Sequence, residues 1–213
     1  MAFNKIDIST WNRKESYSLY YTDVPCTYSM TVNLDITTLL TSTESANIKF
    51  FPSILFALSS IVNKHKEFRM DLDEDGNTGY YDISNPCFTV FHNETETFTN
   101  VWTEYAPTFD EFLKNYTMDM DKYHGDCVNS KPLTDRNVFN VSAIPWSKFT
   151  GFNLNLQKGY DYFPPIFTFG KYFDHGKKTL LPLAIQVHHA VCDGFHVSRF
   201  VNDLQKFIDS FEI

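Results

Sequence analysis

The sequence predicts an α+β fold: a mixed β-sheet with helices packed against it as a two-layer sandwich. Three observations carry this. Apolar residues at helical spacing lie early in the chain and again at its C-terminus. Strand-like runs separated by Pro, Gly and charged turns cluster between them, most densely after Arg136. No repeat, low-complexity stretch or linker divides the chain. The 213 residues are therefore read as one domain, 1–213, long enough to bury a large core.

Taken in order, "IKFFPSILFALSSIVNKHKEF" places Ile54, Leu55, Leu58, Ile61 and Val62 at helical spacing, with Pro52 in a first turn that tolerates it. This predicts a helix from about Phe51 to Lys66. "DEDGNTGYYDI" carries two turn signals and predicts a hairpin. "CFTVFH" is aromatic and β-branched and predicts a short strand. "TFDEFLKNYTMDMDKYHG" predicts a helix with Thr108 as N-cap and Gly125 as C-cap. Four strands are expected next, in "NVFNVSAI", "FTGFNLNL", "PIFTFGKYF" and "TLLPLAIQVHH". The last segment puts Val197, Phe200, Val201, Leu204, Phe207 and Ile208 on one face, an amphipathic helix.

Composition narrows the function classes. The chain is 43% hydrophobic and 17% aromatic, a globular balance. Its net charge is −8, and no Lys/Arg stripe offers nucleic acid a footprint. The longest apolar run, "FFPSILFALSSIV", is too short and interrupted to span a bilayer. Cys26, Cys87, Cys127 and Cys192 show no CxxC spacing and are expected to be reduced thiols. The first residues have no apolar signal region, so a cytoplasmic location is expected.

The stretch that asks for chemistry is "LPLAIQVHHAVCDGFHVSRF". Strand parity sets His189 on the face of Leu181, Leu183, Ile185 and Val187, and His188 on the face of Pro182, Ala184 and Gln186. Only one histidine can then serve a given cleft, and His189 is expected in the drier place. A buried imidazole is held neutral, which suits a base. Three readings stand side by side. The pair is structural; or His189, Asp193 and His196, at i, i+4, i+7, gather a metal; or an imidazole acts as general base. Gly194 and the preceding strand pattern weigh against the continuous helix that a metal set needs. No HExxH or CxxC supports it, so no metal is expected.

"QVHHAVCDGFH", Gln186 to His196, resembles the signature of the chloramphenicol acetyltransferases. Its core, His-His-x-x-x-Asp-Gly, also occurs in the wider superfamily of coenzyme A-dependent acyltransferases. The resemblance extends to Trp11–Glu15 ("WNRKE"), Phe88–Phe98, "SAIPW" from Ser142, "FNLN" from Phe152 and "PIFTFGKY" from Pro165. It implies acetyl-CoA as co-substrate, no permanently bound cofactor, and chloramphenicol as acceptor at its primary hydroxyl. It also implies a homotrimer with active sites between subunits.

Site roles follow from the resemblance alone. His189 would be the general base, its tautomer set by its own backbone carbonyl. Ser142 would stabilise the tetrahedral oxyanion. Asp193 would pair with Arg13 and hold the loop that carries His189, while His188 is structural. Gly194 would let the chain reverse into the last helix. Tyr20, Val24, Tyr28, Phe98, Leu154 and Thr168 would line the acceptor pocket, and Trp146 and Tyr172 the coenzyme A channel. Read without the resemblance, Ser142 is a turn serine and the aromatics are ordinary core. Two departures bear on the pocket: Gly151 stands where a serine is frequent, and Asn100 where a small residue is frequent. An enzyme acting on another hydroxyl or thiol acceptor, or a protein that only sequesters the drug, is the competing reading. The acceptor pocket and release of free thiol separate them.

Overall fold

The computed structural model describes residues 2–125, 129–134, 136–156 and 161–212. In chain order the elements are β1 (Phe3–Lys5), α1 (Lys14–Ser18) with a π-helical turn (Leu19–Asp23), β2 (Thr27–Asp35), α2 (Thr37–Ser45) and α3 (Phe50–Lys64). A 3-10 turn (Lys66–Phe68), β3 (Met70–Leu72), β4 (Thr78–Tyr81), β5 (Asn85–His92), β6 (Thr97–Trp102) and α4 (Phe109–Tyr123) follow. The chain ends with β7 (Val138–Ile144), β8 (Ile166–Gly170), β9 (Phe173–His175), β10 (Lys178–His188) and α5 (Gly194–Asp209). One sheet runs β2-β10-β8-β7-β5-β6, with β9 on β10, and a small sheet runs β1-β4-β3. β5, β7 and β8 are parallel neighbours and the other pairings are antiparallel, so the sheet is mixed as expected.

Register explains the core. Val101 pairs with Phe88, Phe88 with Val141, Val141 with Phe167, Phe167 with Ile185, and Ile185 with Met30. Paired residues point to the same face, so one apolar row crosses the whole sheet. Helix α3 is buried almost all round, from Pro52 to Ser59 and at Ile61 and Val62, as a helix enclosed by neighbours must be. α5 buries Val197, Phe200, Leu204 and Ile208, and Phe200 stacks on Phe68 and Phe167. The next residues along the strands form a different row. Ser142 pairs with Thr168, and Thr168 with Ala184. Parity puts this polar, small-residue row on the face opposite the core.

Several expectations need correction. "FTGFNLNL" is not a strand: residues 149–156 form an irregular segment whose Leu154 and Leu156 are exposed. Its alternation has no buried face to serve. It belongs to the long connection that two parallel neighbours, β7 and β8, require. Strands are also less concentrated after residue 136 than expected, because β2, β5 and β6 supply half of the main path. "TYSMTVNLD" alternates cleanly and forms β2, an element the sequence reading does not name. Thr108 does sit at the N-cap of α4, but its hydroxyl donates to Glu111 Oε2 at 2.8 Å and not to the backbone. His124 is the C-cap there, with Gly125 next. Gly194 has an ordinary φ and open space around a Cβ, so the turn into α5 does not depend on glycine. Cys26, Cys87 and Cys192 are free thiols; Cys127 lies outside the described residues. Among the described residues, no helix is long and apolar enough to cross a membrane.

Candidate active site

β10 delivers the two histidines and stops between them. Every residue from Leu181 to His188 is buried, so both faces of this strand are covered. His188 is 1% exposed. Its Nδ1 accepts the Ala190 N–H at 3.2 Å, and its carbonyl accepts from Val191 and Cys192. Its ring lies against Phe163 and Tyr21. These contacts fold the chain away from the strand direction.

His189 is the first residue past the strand. Its N–H donates to the Cys26 carbonyl at 3.0 Å. Its ring stacks on Tyr20, with centroids 3.7 Å apart and planes 8° apart, and meets Tyr28 edge-on at 5.2 Å. The side chain is 27% exposed, so in one chain this place is wetter than the parity argument expects. The strand ends before it, and aromatic rings on two sides replace the sheet as walls.

Arg13, at the N-cap of α1, ties this turn down. Its guanidinium pairs with the Asp193 carboxylate through both terminal nitrogens, the Nη2–Oδ1 distance being 3.1 Å. The same Nη2 reaches the carbonyl oxygens of Ala190 (3.2 Å) and His189 (3.5 Å). Arg13 holds the Asp193 carboxyl below the usual carboxylate range. Nδ1 of His189 lies 3.3 Å from Asp193 Oδ1 and makes no hydrogen bond among the described residues. The histidine's own carbonyl, expected to set its tautomer, also lies 3.5 Å from Arg13 Nη2. With Nδ1 turned to Asp193, Nε2 is the nitrogen left for proton transfer.

Ser142 and Thr168 are side by side across β7 and β8, on the face opposite the helices. Phe98 and Asn100 on β6 share that face by parity, since Phe98 pairs with Phe91 and Asn100 with Thr89. Trp146 packs edge-on against Phe91 and Phe98, at 4.7 and 6.4 Å. Phe91, Phe98 and Trp146 line a cavity of about 220 Å³, and a second cavity of about 450 Å³ is lined by Phe50, Pro145, Lys171 and Tyr172 among others. Gln186 was not singled out from the sequence. Its amide accepts the Leu154 N–H at 2.7 Å and donates to the Leu154 carbonyl at 2.9 Å, as a strand partner would. The signal was a glutamine inside an apolar strand, where a buried amide must find partners.

The structure does not join these groups into one site within one chain. Ser142 is level with Ala184, two strands away, and His189 is five residues beyond Ala184. At about 4.8 Å per strand and 3.3 Å per residue, Ser142 and His189 are roughly 19 Å apart. His189, Tyr20, Tyr28 and Val24 form one group, at the end of β10 and β2. Ser142, Thr168, Phe98 and Trp146 form another, across the sheet. Val24, Phe98, Trp146, Leu154 and Tyr172 are all exposed, an unusual amount of large apolar surface for a finished surface. Among the described residues, no three His, Cys, Asp or Glu side chains converge as metal ligands.

A family model described as chloramphenicol acetyltransferase matches residues 1–205. The chain is 53% identical to a chloramphenicol acetyltransferase of Clostridium perfringens over 99% of its own length and all of the relative's. It is 51% identical to one of Campylobacter coli, over 98% and 100%. A solved chloramphenicol acetyltransferase superposes with a TM-score of 0.87 at 24% identity, covering 97% of this chain and all of the other. The truncated catalytic core of a 2-oxoacid dehydrogenase multienzyme complex from Thermoplasma acidophilum shares the fold, with a TM-score of 0.69 at 13% identity over 91% and 92%.

Proposed function

The chain belongs to the chloramphenicol acetyltransferase family and is an acyltransferase, and from that premise we propose how it acetylates chloramphenicol and so confers resistance to the drug. Acetyl-CoA and chloramphenicol bind together in a ternary complex. Nε2 of His189 takes the proton of the drug's primary hydroxyl as that oxygen attacks the thioester carbonyl. Negative charge moves to the carbonyl oxygen, where the Ser142 hydroxyl donates a hydrogen bond. Collapse of the tetrahedral species expels the CoA thiolate, which recovers the proton from His189, leaving the acetyl ester and free thiol. No acetyl-enzyme forms.

The observation that carries this reading is the seating of His189. It follows a buried strand, stacks on Tyr20, and turns one ring nitrogen toward a carboxylate that Arg13 keeps ionised. A base needs one nitrogen oriented and the other free. Tyr20, Val24, Tyr28, Phe98, Leu154 and Thr168 supply an apolar acceptor site with few polar anchors. Tyr172, which lines the 450 Å³ cavity, and Trp146, which lines a separate cavity of about 220 Å³, take coenzyme A.

His189 and Ser142 act on one substrate, so they come from different copies of the chain. Their separation within one chain and the exposed apolar side chains around each support a homotrimer of cytoplasmic protein whose sites span its interfaces. The contacts would be head-to-tail, which closes into a ring.

The test is release of free thiol from acetyl-CoA, with and without chloramphenicol. Release that requires the drug, and falls by at least about 1000-fold in His189→Ala, supports the reading. Release indifferent to the drug removes chloramphenicol as the acceptor.

A further inference from the structure

We infer that His196 is a positioning residue for the transfer: its imidazole, set between Glu67 and the Asp193 N–H, holds the first turn of α5 so that the Asp193 carboxylate faces His189 and Arg13 together. The inference rests on His189 being the base.

The tautomer of His196 follows from one hydrogen bond. The Asp193 N–H donates to His196 Nδ1 at 2.9 Å. Nδ1 is therefore unprotonated, and a neutral ring carries its proton on Nε2. That nitrogen points to Glu67 Oε1 at 3.8 Å. Glu67 stands in the 3-10 turn after α3, and its other oxygen accepts from Arg199 Nη2 at 3.0 Å. His196 and Glu67 are both largely buried, with side chains 12% and 13% exposed. The ring thus accepts from the backbone of the residue that pairs with Arg13, with an anchored carboxylate of another element 3.8 Å from its far nitrogen.

Charge supports the neutral state. Burial lowers the His196 pKa; Glu67 and Asp193 act against this, and Arg13 and Arg199 act with it. A protonated ring would set an N–H against the Asp193 N–H and break the junction. The structure also leaves room for Asp193 to move once the ring is gone. A cavity of about 350 Å³ lies beside the junction, lined by Trp11, Arg13, Glu67, Asp193 and His196 among others. Shifting Asp193 would disturb its 3.3 Å approach to His189 Nδ1 and its pairing with Arg13.

A residue that only caps a helix affects stability, and its loss lowers the melting temperature without a specific loss of rate. His196→Phe keeps the bulk and removes the acceptor, whereas His196→Asn places an amide oxygen near the position of Nδ1. In His196→Phe, kcat should fall about 10- to 100-fold with both KM values within about threefold of wild type. His196→Asn should recover most of kcat even if both variants melt at the same lower temperature. Wild-type kcat in His196→Phe, or equal loss of rate in both variants in step with melting, overturns the inference. Nitrogen-15 shifts of the His196 ring in the unaltered enzyme test the geometry should His196→Phe fail to fold. An Nε2–H tautomer at neutral pH is expected; an Nδ1–H tautomer or a charged ring overturns the inference. Full activity of His189→Ala would instead count against the base assignment above, and the ring shifts would still decide the tautomer of His196.

Discussion

His188 and His189 are adjacent, share a chemistry and have opposite surroundings. One accepts a backbone N–H and lies at 1% exposure; the other stacks on Tyr20 at the edge of the site. Parity along "LPLAIQVHH" separates the two, but the burial it forecasts for His189 is not met within one chain. Ser142 was opaque without the family resemblance, because a serine on a strand carries no signal of its own. As the donor to an oxyanion, it has a specific expected signature. Ser142→Ala should lower kcat about 100-fold with KM little changed, measured by steady-state kinetics in both substrates. An equal rise in KM with kcat intact would make it a ground-state contact. The buried histidines give a pH prediction. Burial lowers the pKa of His65 and His196 from the ordinary 6.5, so the unfolded chain binds more protons than the folded one below that pH. Their stabilising contribution is complete above about pH 6.5 and is lost as pH falls toward the folded values. The melting temperature should drop between pH 7.5 and 5.5, and less so in His196→Asn.

Between residues and the molecule stands the turn from β10 to α5, where one aspartate serves three partners. Arg13 reaches it from 180 residues away. Removing one partner of a largely buried pair costs several kcal/mol, and Asp193 is a third exposed, so about 3 kcal/mol is expected for Asp193→Asn. For a chain of this size that is a fall of roughly 6–12 °C in Tm, with loss of rate. Activity lost at an unchanged Tm would mean that Asp193 acts on the reaction directly. The elements themselves were unevenly legible. α3, α5, β7, β8 and β10 have long apolar runs with a clear period. "TYSMTVNLD" had the same period and could have been read as β2. "FTGFNLNL" alternates yet forms no strand, since alternation makes a strand only where a buried face awaits it. Here the partner is a single side chain, Gln186, gripping Leu154.

At the scale of the molecule, the two halves of the proposed site lie roughly 19 Å apart by strand and residue spacing. This makes a direct prediction. Chains carrying His189→Ala and chains carrying Ser142→Ala, each strongly impaired, should complement when assembled together. With random assembly at equal amounts, about one quarter of interfaces receive both intact residues. Activity should approach that fraction after co-refolding and stay at the level of the separate variants when the two are mixed without exchange. No recovery on co-refolding would place both groups in one subunit. The sequence by itself determined the α+β class, the mixed sheet at its centre and the family, because apolar period and a contiguous motif are local properties of the chain. Tertiary structure decided which ring nitrogen of His189 faces Asp193 and that Arg13 binds the carbonyls of the same turn. It also decided that Gln186 stands in for a strand and that His196, beside Glu67, accepts the Asp193 N–H. Each of these is a contact between residues far apart in the chain or a turn of a ring about its bonds, and neither leaves a mark on the order of amino acids.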